Sequence, residues 1–342
     1  MKMSHKLLTI VSAVAMSLTV TAASAQITLN LNSQMPESAP ASEIDGWFAD
    51  EVARRTDGAV EIKIFYSGTL GRPLESLSLM REGAIDMAVA SPGYFSSDIP
   101  FTAIPNSFPM SLFSVNQARV VMERLMEEEP ELAAEQERNG VRALFFHNLN
   151  PYFLLSKEPI LTAEDLKGQR TRSWGSDFPR FVSGAGAVPV TLGLSEVYEA
   201  LSNGAVDVVP FSYDYIQTYR LHEVAGHVTT APVHIAVTAP IWISTAAWDR
   251  LSPEQQKIML EVADEAAEKD YELTLKAGEE ARQFLADNGV EFHEFPEEEM
   301  DKLRAVVPDY FGEWIAKMEE QGKGDAARNA IAIWKDVVAN VE

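Results

Sequence analysis

The sequence contains no cysteine, which excludes disulfide bonds, thiol chemistry and lipid attachment to an N-terminal cysteine. Basic residues are also scarce, with 28 Lys and Arg against 51 Asp and Glu and a net charge of −23 at pH 7. Nucleic-acid binding depends largely on Lys and Arg contacts to phosphates, so this balance argues against a nucleic-acid partner. Any anion that the chain binds needs a local positive group that opposes the overall negative field.

Long apolar runs are lacking except near the N-terminus. There, Lys2 and Lys6 precede an apolar run from Leu7 to Val20. Ala23-Ser24-Ala25 then has the small-residue pattern of a cleavage site, which predicts a secretory signal peptide and a mature chain from Gln26. The run is too short for a membrane span of roughly 18 apolar residues or more, so we expect an exported chain that is not itself membrane-spanning.

The first half of the mature sequence alternates between strand and helix patterns. Ile27 to Asn32 and Val60 to Ile64 have the features of strands, with an amphipathic helix at about Ser42 to Thr56 between them. A further helix leads to a third strand within Gly83 to Val89. Strands that alternate with helices indicate an α/β lobe with a largely parallel sheet.

One seven-residue pattern occurs twice, at Arg81 to Met87 and at Ser202 to Val208. In each copy a helix ends at a glycine and a strand begins with Asp near its start, and glycine is favoured just past a helix C-terminus. Two copies indicate two similar α/β lobes. Lobes joined by a few crossings form a clamp that closes on a ligand at the cleft between them.

The last third of the chain is predicted to be mainly helical. Ser252-Pro253-Glu254-Gln255 is a capping box with proline at the first helical position. The helix could continue to Asn288-Gly289, about 36 residues or roughly 50 Å, which is long enough to lie across both lobes. Two more amphipathic helices, at about Glu297 to Gln321 and Asp325 to Ala339, are expected to follow.

These elements lead to a prediction of the domain limits. The predicted segments are the signal peptide (1–25), the first lobe (26–149 plus about 235–277), the second lobe (150–234 plus about 278–305) and C-terminal helices that pack on the lobes (306–342).

The stretch from Asn150 to Tyr213 carries the main candidate for ligand binding. Arg172 lies on a predicted strand, and Trp174 follows at i+2 just before a glycine break, which places both near the strand's carboxyl end. A second strand ends at Phe211. Ligands bind at the carboxyl ends of parallel strands, and arginine offers two parallel donors that match a carboxylate. We therefore predict that Arg172 anchors a carboxylate; Arg170, nearer the strand's start, is the weaker candidate.

Aromatic residues at predicted strand ends, together with Asn150, complete the predicted binding site. They are Trp174, Phe211, Tyr213, Tyr152 and Tyr94. Each one alone could equally pack in a core. As a set on one sheet edge they suit the walls of a pocket, for either an aromatic ring or a cationic group of the betaine or ectoine type.

Motifs for catalysis and metal binding are not met. His222 and His227 resemble a zinc-protease pair, but a spacing of five residues turns them about 140° apart on a helix. Gly184-Ala185-Gly186 lacks the third glycine of a dinucleotide site. Nothing assembles a nucleophile with a base, so we expect no catalytic residues, no metal ligands and no cofactor.

The chain as a whole resembles the periplasmic solute-binding proteins of tripartite ATP-independent periplasmic (TRAP) transporters, the DctP family. The resemblance covers nearly all of the mature sequence. It is carried by the signal peptide and by the segments Gly83 to Met87, Glu164 to Arg172, Ala187 to Val190, Glu196 to Leu201 with Gly204 to Asp207, and Leu251 to Glu254.

The resemblance implies an α/β fold with two lobes, a type II-like periplasmic-binding-protein clamp with a long helix that spans both. It also implies that Arg172 holds the substrate carboxylate and that the protein delivers its solute to TRAP permease membrane subunits from the periplasm. Val208 and Phe211 stand where many members have Gly and Asn, and Tyr152 replaces a second arginine of the acid-sugar branch. These exchanges of polar for aromatic contacts argue against a sugar-acid ligand.

The predicted function is therefore capture of a small organic monocarboxylate, without enzymatic activity. One alternative is a binding protein of an ATP-driven importer or of a sensor, which would use the same two-lobe fold. A secreted hydrolase is the other alternative, and it would need the nucleophile–base pair or metal set that the sequence does not display.

Overall fold

The computed structural model describes residues 26–342, apart from the side chains of Val237 and Thr238. The predicted signal peptide, and with it the cleavage site after Ala25, lies outside the described residues. Within the described range no helix is both long enough and apolar enough to cross a membrane.

The elements alternate along most of the chain. The strands are β1 (Ile27–Ser33), β2 (Val60–Phe65), β3 (Met87–Val89), β4 (Val141–Asn148), β5 (Phe153–Ser156), β6 (Arg170–Ser173), β7 (Val188–Thr191), β8 (Val208–Phe211), β9 (His227–Thr229), β10 (Val237–Ser244) and β11 (Glu291–His293). The α-helices are α1 (Pro40–Arg55), α2 (Ser76–Arg81), α3 (Val115–Glu128), α4 (Pro130–Arg138), α5 (Phe178–Gly184), α6 (Val197–Ser202), α7 (Tyr213–Thr218), α8 (Thr245–Trp248), α9 (Pro253–Asp287), α10 (Glu297–Ala305), α11 (Tyr310–Glu320) and α12 (Gly324–Asn340). Short 3-10 helices lie at Pro73–Glu75, Pro92–Phe95, Ile104–Asn106, Ala163–Leu166, Leu194–Glu196 and Leu221–Glu223.

The first sheet has the strand order β2-β1-β3-β10-β4 and forms the centre of the first lobe. β1 runs parallel to β2 and β3, whereas β10 returns from the second lobe and runs antiparallel to β3 and β4. Leu29 and Leu31 alternate with polar residues along β1 and are fully buried in the same core as Phe48 of α1. This arrangement confirms the predicted α/β lobe.

The second sheet has the order β11-β9-β5-β8-β6-β7 and forms the second lobe. β6 runs parallel to β7 and to β8, and Thr171 lies opposite Val208 in the register. The carboxyl ends of β6 and β8 therefore lie side by side, as the sequence predicts. Arg172, near the end of β6, and Phe211, the last residue of β8, are brought close together by this pairing.

Helix α9 spans both lobes, as predicted. It has 35 residues, which corresponds to roughly 52 Å. The predicted capping box is present, because Ser252 Oγ accepts the Gln255 backbone N–H at 3.2 Å and Gln255 Oε1 accepts that of Ser252 at 2.8 Å. The helix packs on α1 and β4 of the first lobe and on α7 of the second. The two lobes and this strut confirm the clamp-type fold class.

One helix prediction is wrong. The segment from Glu297 to Gln321 forms two helices, α10 and α11, instead of one. Pro308 lies between them, and proline lacks the backbone donor and disfavours a helical conformation in the residue before it. Asp309 then caps α11 by accepting the Gly312 backbone N–H at 3.0 Å.

The last two helices pack on the first lobe. Trp334 of α12 is fully buried, and its ring lies 5.6 Å from that of Phe108 in an edge-on contact. Tyr310 of α11 stacks on the same phenylalanine at 6.0 Å. The chain therefore ends with two helices on the first lobe, and the domain limits stay a prediction.

Candidate functional site

A cavity lies between the two lobes, where the carboxyl ends of their central strands meet. The first lobe provides residues that follow β1 and β3, and the second provides residues at and after the end of β6. The lining residues are Gln34, Ser91, Tyr94, Asn106, Leu149, Tyr152, Arg172, Trp174, Leu194 and His234. Its free volume is about 30 Å³, room for about two water-sized groups. The cavity is therefore small and is lined by residues of both lobes.

Arg172 is the only cationic residue among those that line the cavity, and none of them is acidic. Its side chain is only 2% exposed, yet its Nε and Nη1 atoms have no hydrogen-bond partner within the described chain. A buried charge without a partner is costly, and buried donors are normally satisfied. The guanidinium is thus arranged to receive an anion.

Aromatic rings hold the guanidinium in place. Its central carbon lies 4.9 Å from the ring centre of Trp174 and 5.1 Å from that of Phe211. Phe178 stacks on Trp174 at 3.9 Å with an interplanar angle of 19°. Cation–π attraction can hold an arginine without neutralising its charge. The arrangement fixes the direction of the guanidinium while keeping the positive charge available.

Three tyrosines surround Arg172 with neutral hydroxyl groups. Burial raises the pKa of Tyr94, Tyr152 and Tyr219, while the positive charge of Arg172 opposes the shift at each. The Tyr219 hydroxyl is buried without a hydrogen-bond partner in the described chain. All three therefore stay protonated at neutral pH and can donate hydrogen bonds.

His234 adds an uncharged imidazole to the cavity wall. It is 2% exposed and lies 5.4 Å from the Trp174 ring and 6.0 Å from the Tyr152 ring. Burial lowers the pKa of His234 to about 3. Its Nδ1 atom has no hydrogen-bond partner among residues 26–342. The imidazole is neutral at physiological pH and offers one free polar atom.

The structure brings some of the predicted site residues together at this cavity. Arg172, Trp174, Tyr152 and Tyr94 line it. Phe211 is fully buried behind Arg172, with its ring 5.6 Å from that of Tyr152. Phe211 thus contacts residues that line the cavity but is not itself part of the lining.

The other two predicted residues lie away from the cavity lining. Tyr213 stacks on Phe153 at 4.1 Å, with an interplanar angle of 4°. The Asn150 amide donates to the Thr274 carbonyl of α9 at 2.7 Å and to Asp214 of α7 at 3.2 Å. Asn150 therefore connects the first crossing between the lobes to both helices.

Several lining residues have no counterpart in the sequence prediction. They are Gln34, Ser91, Asn106, Leu149, Leu194 and His234. Gln34 and Ser91 each lie two residues after the end of a predicted strand. Their position at the carboxyl edge of the sheet was therefore a usable signal. His234 lies in a crossing segment and carries no comparable signal, because a backbone bridge to Tyr152, distant in the sequence, places it beside Trp174.

A larger groove of about 530 Å³ lies on the surface along α3, β4 and α9. Acidic side chains line it, including Glu123, Glu127, Asp264 and Glu268, with Arg119 as its cation. Arg119 is already paired with Glu123 at 2.6 Å. The groove is therefore poorly suited to an anion, and the interlobe cavity is the better candidate for a binding site.

Comparison with known proteins identifies the family and the fold of this chain. The sequence profile of the bacterial extracellular solute-binding protein family 7, DctP, matches residues 32–317. A solute-binding protein of Roseobacter denitrificans is 27% identical over 270 residues, which cover 74% of this chain and 79% of that relative.

Solved structures show the same architecture. A TRAP periplasmic solute-binding protein from Desulfovibrio salexigens with bound orotic acid has a TM-score of 0.82 at 22% identity, covering 92% of this chain and 100% of that one. An extracytoplasmic solute receptor of Bordetella pertussis that binds pyroglutamic acid has a TM-score of 0.80 at 23% identity, covering 88% and 99%. At identities of 22% and 23%, this structural similarity establishes the fold alone.

The profile match covers most of the chain, and the fold agrees with it. The family and its relatives are transport proteins that bind solutes, which confirms the prediction that the protein is not an enzyme. The chain belongs to the bacterial extracellular solute-binding protein family 7, the DctP family of TRAP periplasmic solute-binding proteins.

Proposed function

We propose that this TRAP solute-binding protein captures a small organic monocarboxylate, with the carboxylate bound to Arg172. The observation that carries the proposal is the buried guanidinium whose Nε and Nη1 atoms have no partner in the described chain. A carboxylate supplies two acceptor oxygens that match the two parallel N–H donors on one edge of a guanidinium, and each of the two unpaired nitrogens shares such an edge with Nη2. Such a charge-assisted pair contributes roughly 1.5–3 kcal/mol and removes the cost of the unpaired charge.

The charges of the cavity lining favour a ligand with a single carboxylate. Arg172 is the only cation among the lining residues, and the remaining polar groups are neutral. A second carboxylate would have to lose its hydration without a charged partner, which is costly in a buried site. We therefore expect monocarboxylates to bind more tightly than dicarboxylates of the same length.

The rest of the ligand is expected to be compact, uncharged and capable of hydrogen bonding. A cationic tail of the betaine or ectoine type would need an exposed aromatic face or an acid. The two faces of Trp174 contact Arg172 and Phe178, and the lining residues include no acid. The Tyr94 and Tyr152 hydroxyls and the neutral His234 imidazole, which line the cavity, are instead suited to hydroxyl, carbonyl or amide groups.

The solved neighbours support this ligand class. Their bound molecules include orotic acid, pyroglutamic acid and uronates, each a single carboxylate on a polar ring. The replacement of a second arginine by Tyr152 favours a solute other than a sugar acid. We propose export to the periplasm with cleavage after Ala25 and delivery of the solute to TRAP permease subunits.

Two substitutions on the same strand test the anchor. Arg172→Ala removes the buried guanidinium, whereas Arg170→Ala removes an exposed one that is paired with Asp207 at 2.6 Å. We expect Arg172→Ala to raise the Kd on the order of 100-fold, and Arg170→Ala to leave it unchanged.

The ligand is first found by a thermal-shift panel of hydroxy, keto, cyclic and aromatic monocarboxylates, dicarboxylates and betaines. A ligand at 100 times its Kd stabilises the protein by about 2.7 kcal/mol.

An unchanged Kd in the folded Arg172→Ala variant would refute the anchor, and tightest binding by a betaine would refute the proposed tail.

Transport is tested in proteoliposomes that contain the permease subunits and the loaded binding protein. Uptake that depends on an ion gradient, without ATP, is the expected result. ATP-dependent uptake would contradict the TRAP assignment.

A further inference from the structure

A second cluster of ligand-type side chains lies on the outer edge of the second lobe, far along the sheet from Arg172. β9 and the edge strand β11 run parallel there, and His227 lies opposite Glu291 in the register. His293 follows Glu291 at i+2 on β11 and therefore projects from the same face. Two imidazoles and one carboxylate thus share one side of the sheet edge.

The atoms of this cluster are close enough to bind a single ion. His227 Nδ1 lies 3.0 Å from His293 Nε2, and these nitrogens lie 3.8 Å and 4.0 Å from Glu291 Oε2. Tetrahedral zinc with bonds of about 2.0–2.2 Å separates neighbouring ligand atoms by about 3.3 Å. The three observed distances lie around that value, so only small side-chain movements would complete the coordination.

We propose that His227, Glu291 and His293 bind a divalent transition-metal ion, best represented by Zn²⁺, with water at the remaining position. Two imidazoles and one carboxylate form a common zinc ligand set, and nitrogen ligands disfavour Mg²⁺ and Ca²⁺. The side chains are partly open to solvent, with exposed fractions of 21% for His227 and 17% for His293, so an ion can reach them.

The surroundings of the cluster do not oppose a cation. Phe292, between the two β11 ligands, projects from the opposite face, where it packs on Tyr213 at 5.4 Å and beneath the Arg282 guanidinium at 5.3 Å. The nearby arginine therefore lies across the sheet from the cluster. The strongly acidic composition of the chain adds a general attraction for cations.

The location suggests a structural role for the bound ion. β11 follows the end of the long helix α9, and β9 precedes the segment that returns to the first lobe. β11 is a three-residue edge strand, which is short for independent stability. An ion that joins β9 to β11 would fasten the end of the interlobe helix to the second sheet.

The test uses residues 26–342 without a polyhistidine tag, cleared of metal by a chelator and titrated with ZnCl2 or MgCl2 in a calorimeter. We expect one Zn²⁺ per chain, no heat from Mg²⁺, and affinity weaker by about tenfold or more in His293→Ala, His227→Ala and Glu291→Gln. His222→Ala is the matched control, since His222 contacts Phe284 instead of the cluster. It should bind zinc like the unaltered protein.

Thermal unfolding supplies a second measurement. Zn²⁺ should raise the Tm of the unaltered protein and of His222→Ala, but not that of His293→Ala. Carboxylate binding at Arg172 should be the same in all these variants, so failure of the metal site and failure of the proposed transport function are distinguishable. Absence of Zn²⁺ binding, or binding that the His293→Ala and Glu291→Gln variants retain in full, would overturn the proposal.

Discussion

His147 Nδ1 lies 2.7 Å from Asp270 Oδ1, and both side chains are buried. The other ring nitrogen, Nε2, lies 3.0 Å from Asp45 Oδ1. This buried contact joins β4, α9 and α1 immediately before the chain first crosses to the second lobe. Burial opposes the charge, but the two carboxylates prevail and raise the pKa of His147 to about 10. The histidine is therefore a cation at neutral pH.

Replacing this histidine should destabilise the protein strongly. In His147→Gln two buried carboxylates lose their positive partner, and we expect the free energy of unfolding to fall by about 3–5 kcal/mol at pH 7. The folded pKa lies above the unfolded value of about 6.5, so the stabilisation is fully present below about pH 6.5 and is lost as the pH rises through about 10. Urea unfolding at pH 6.5, 8 and 9.5 measures both effects. Parallel pH curves for the two proteins would contradict the assigned charge.

Two helical glycines form a matched pair for testing the contact between α9 and the interlobe crossing. A Cβ on Gly278 would lie 2.8 Å from three side-chain atoms of Asn150, whereas one on Gly46 meets nothing within 4 Å. Gly278→Ala should therefore lower the free energy of unfolding by about 1–3 kcal/mol through overpacking. Gly46→Ala should raise it by about 0.5–1 kcal/mol through helix propensity. Chemical denaturation checks both, and stabilisation by Gly278→Ala would show that Asn150 can move aside.

Glu135 should make stability depend on pH below neutrality. This fully buried carboxylate accepts the Phe101 backbone N–H at 3.0 Å and the Thr102 hydroxyl at 2.7 Å. Burial raises the pKa of Glu135 to about 7 from an ordinary value of 4.5, although these hydrogen bonds oppose the shift. Its contribution is therefore fully present below about pH 4.5 and lost as the pH rises through about 7, roughly 3 kcal/mol in all.

The Glu135→Gln variant isolates this contribution. Its amide group faces a backbone donor, so we expect a loss of about 1–3 kcal/mol at pH 5, where the carboxyl of the unaltered protein is protonated. The difference between the two proteins should shrink from pH 5 to pH 8. Urea denaturation at both pH values measures it, and a difference that stays constant would argue against a raised pKa at Glu135.

Ligand affinity should be insensitive to pH between about 5.5 and 8. Burial lowers the pKa of His234 to about 3, so this cavity residue stays uncharged throughout that range. A ligand carboxylate keeps its charge over this range as well. Calorimetric titrations across the range should give Kd values that agree within about threefold. A tenfold change centred near pH 6.5 that disappears in His234→Gln would show that the imidazole titrates during binding.

The repeated seven-residue pattern was visible in the sequence, and the structure supplies its physical reason. Gly83 and Gly204 both adopt positive φ, at 73° and 77°, as a residue just past a helix end should. Asp86 accepts the backbone N–H of Asn30 at 2.9 Å, and Asp207 accepts that of Arg170 at 3.0 Å. Each aspartate thus joins the start of one strand to its neighbour in the two lobes.

The sequence was less informative about the walls of the cavity. Arg172 and Trp174 could be placed because strand ends collect ligand-type residues, and a charged residue with an aromatic at i+2 is a local pattern. Tyr213 satisfies the same rule, yet it stacks on Phe153 outside the cavity lining, because β8 ends at Phe211 and α7 begins at Tyr213. A residue at the start of a helix does not share the direction of the strand before it.

Local patterns in the sequence determined the alternation of strands and helices and the interlobe helix with its capping box. They also determined that a cation, Arg172, lies near the carboxyl ends of the strands in the second sheet. Such features depend on neighbours within a few residues, and the chain carries them in any fold. Only the tertiary structure decided that Arg172 is buried without an acid partner among residues 26–342, that His234 joins it and that His147 is charged between Asp45 and Asp270. Burial and pairing between residues far apart in the sequence set those properties, because the energy of a charge depends on every group that surrounds it after folding.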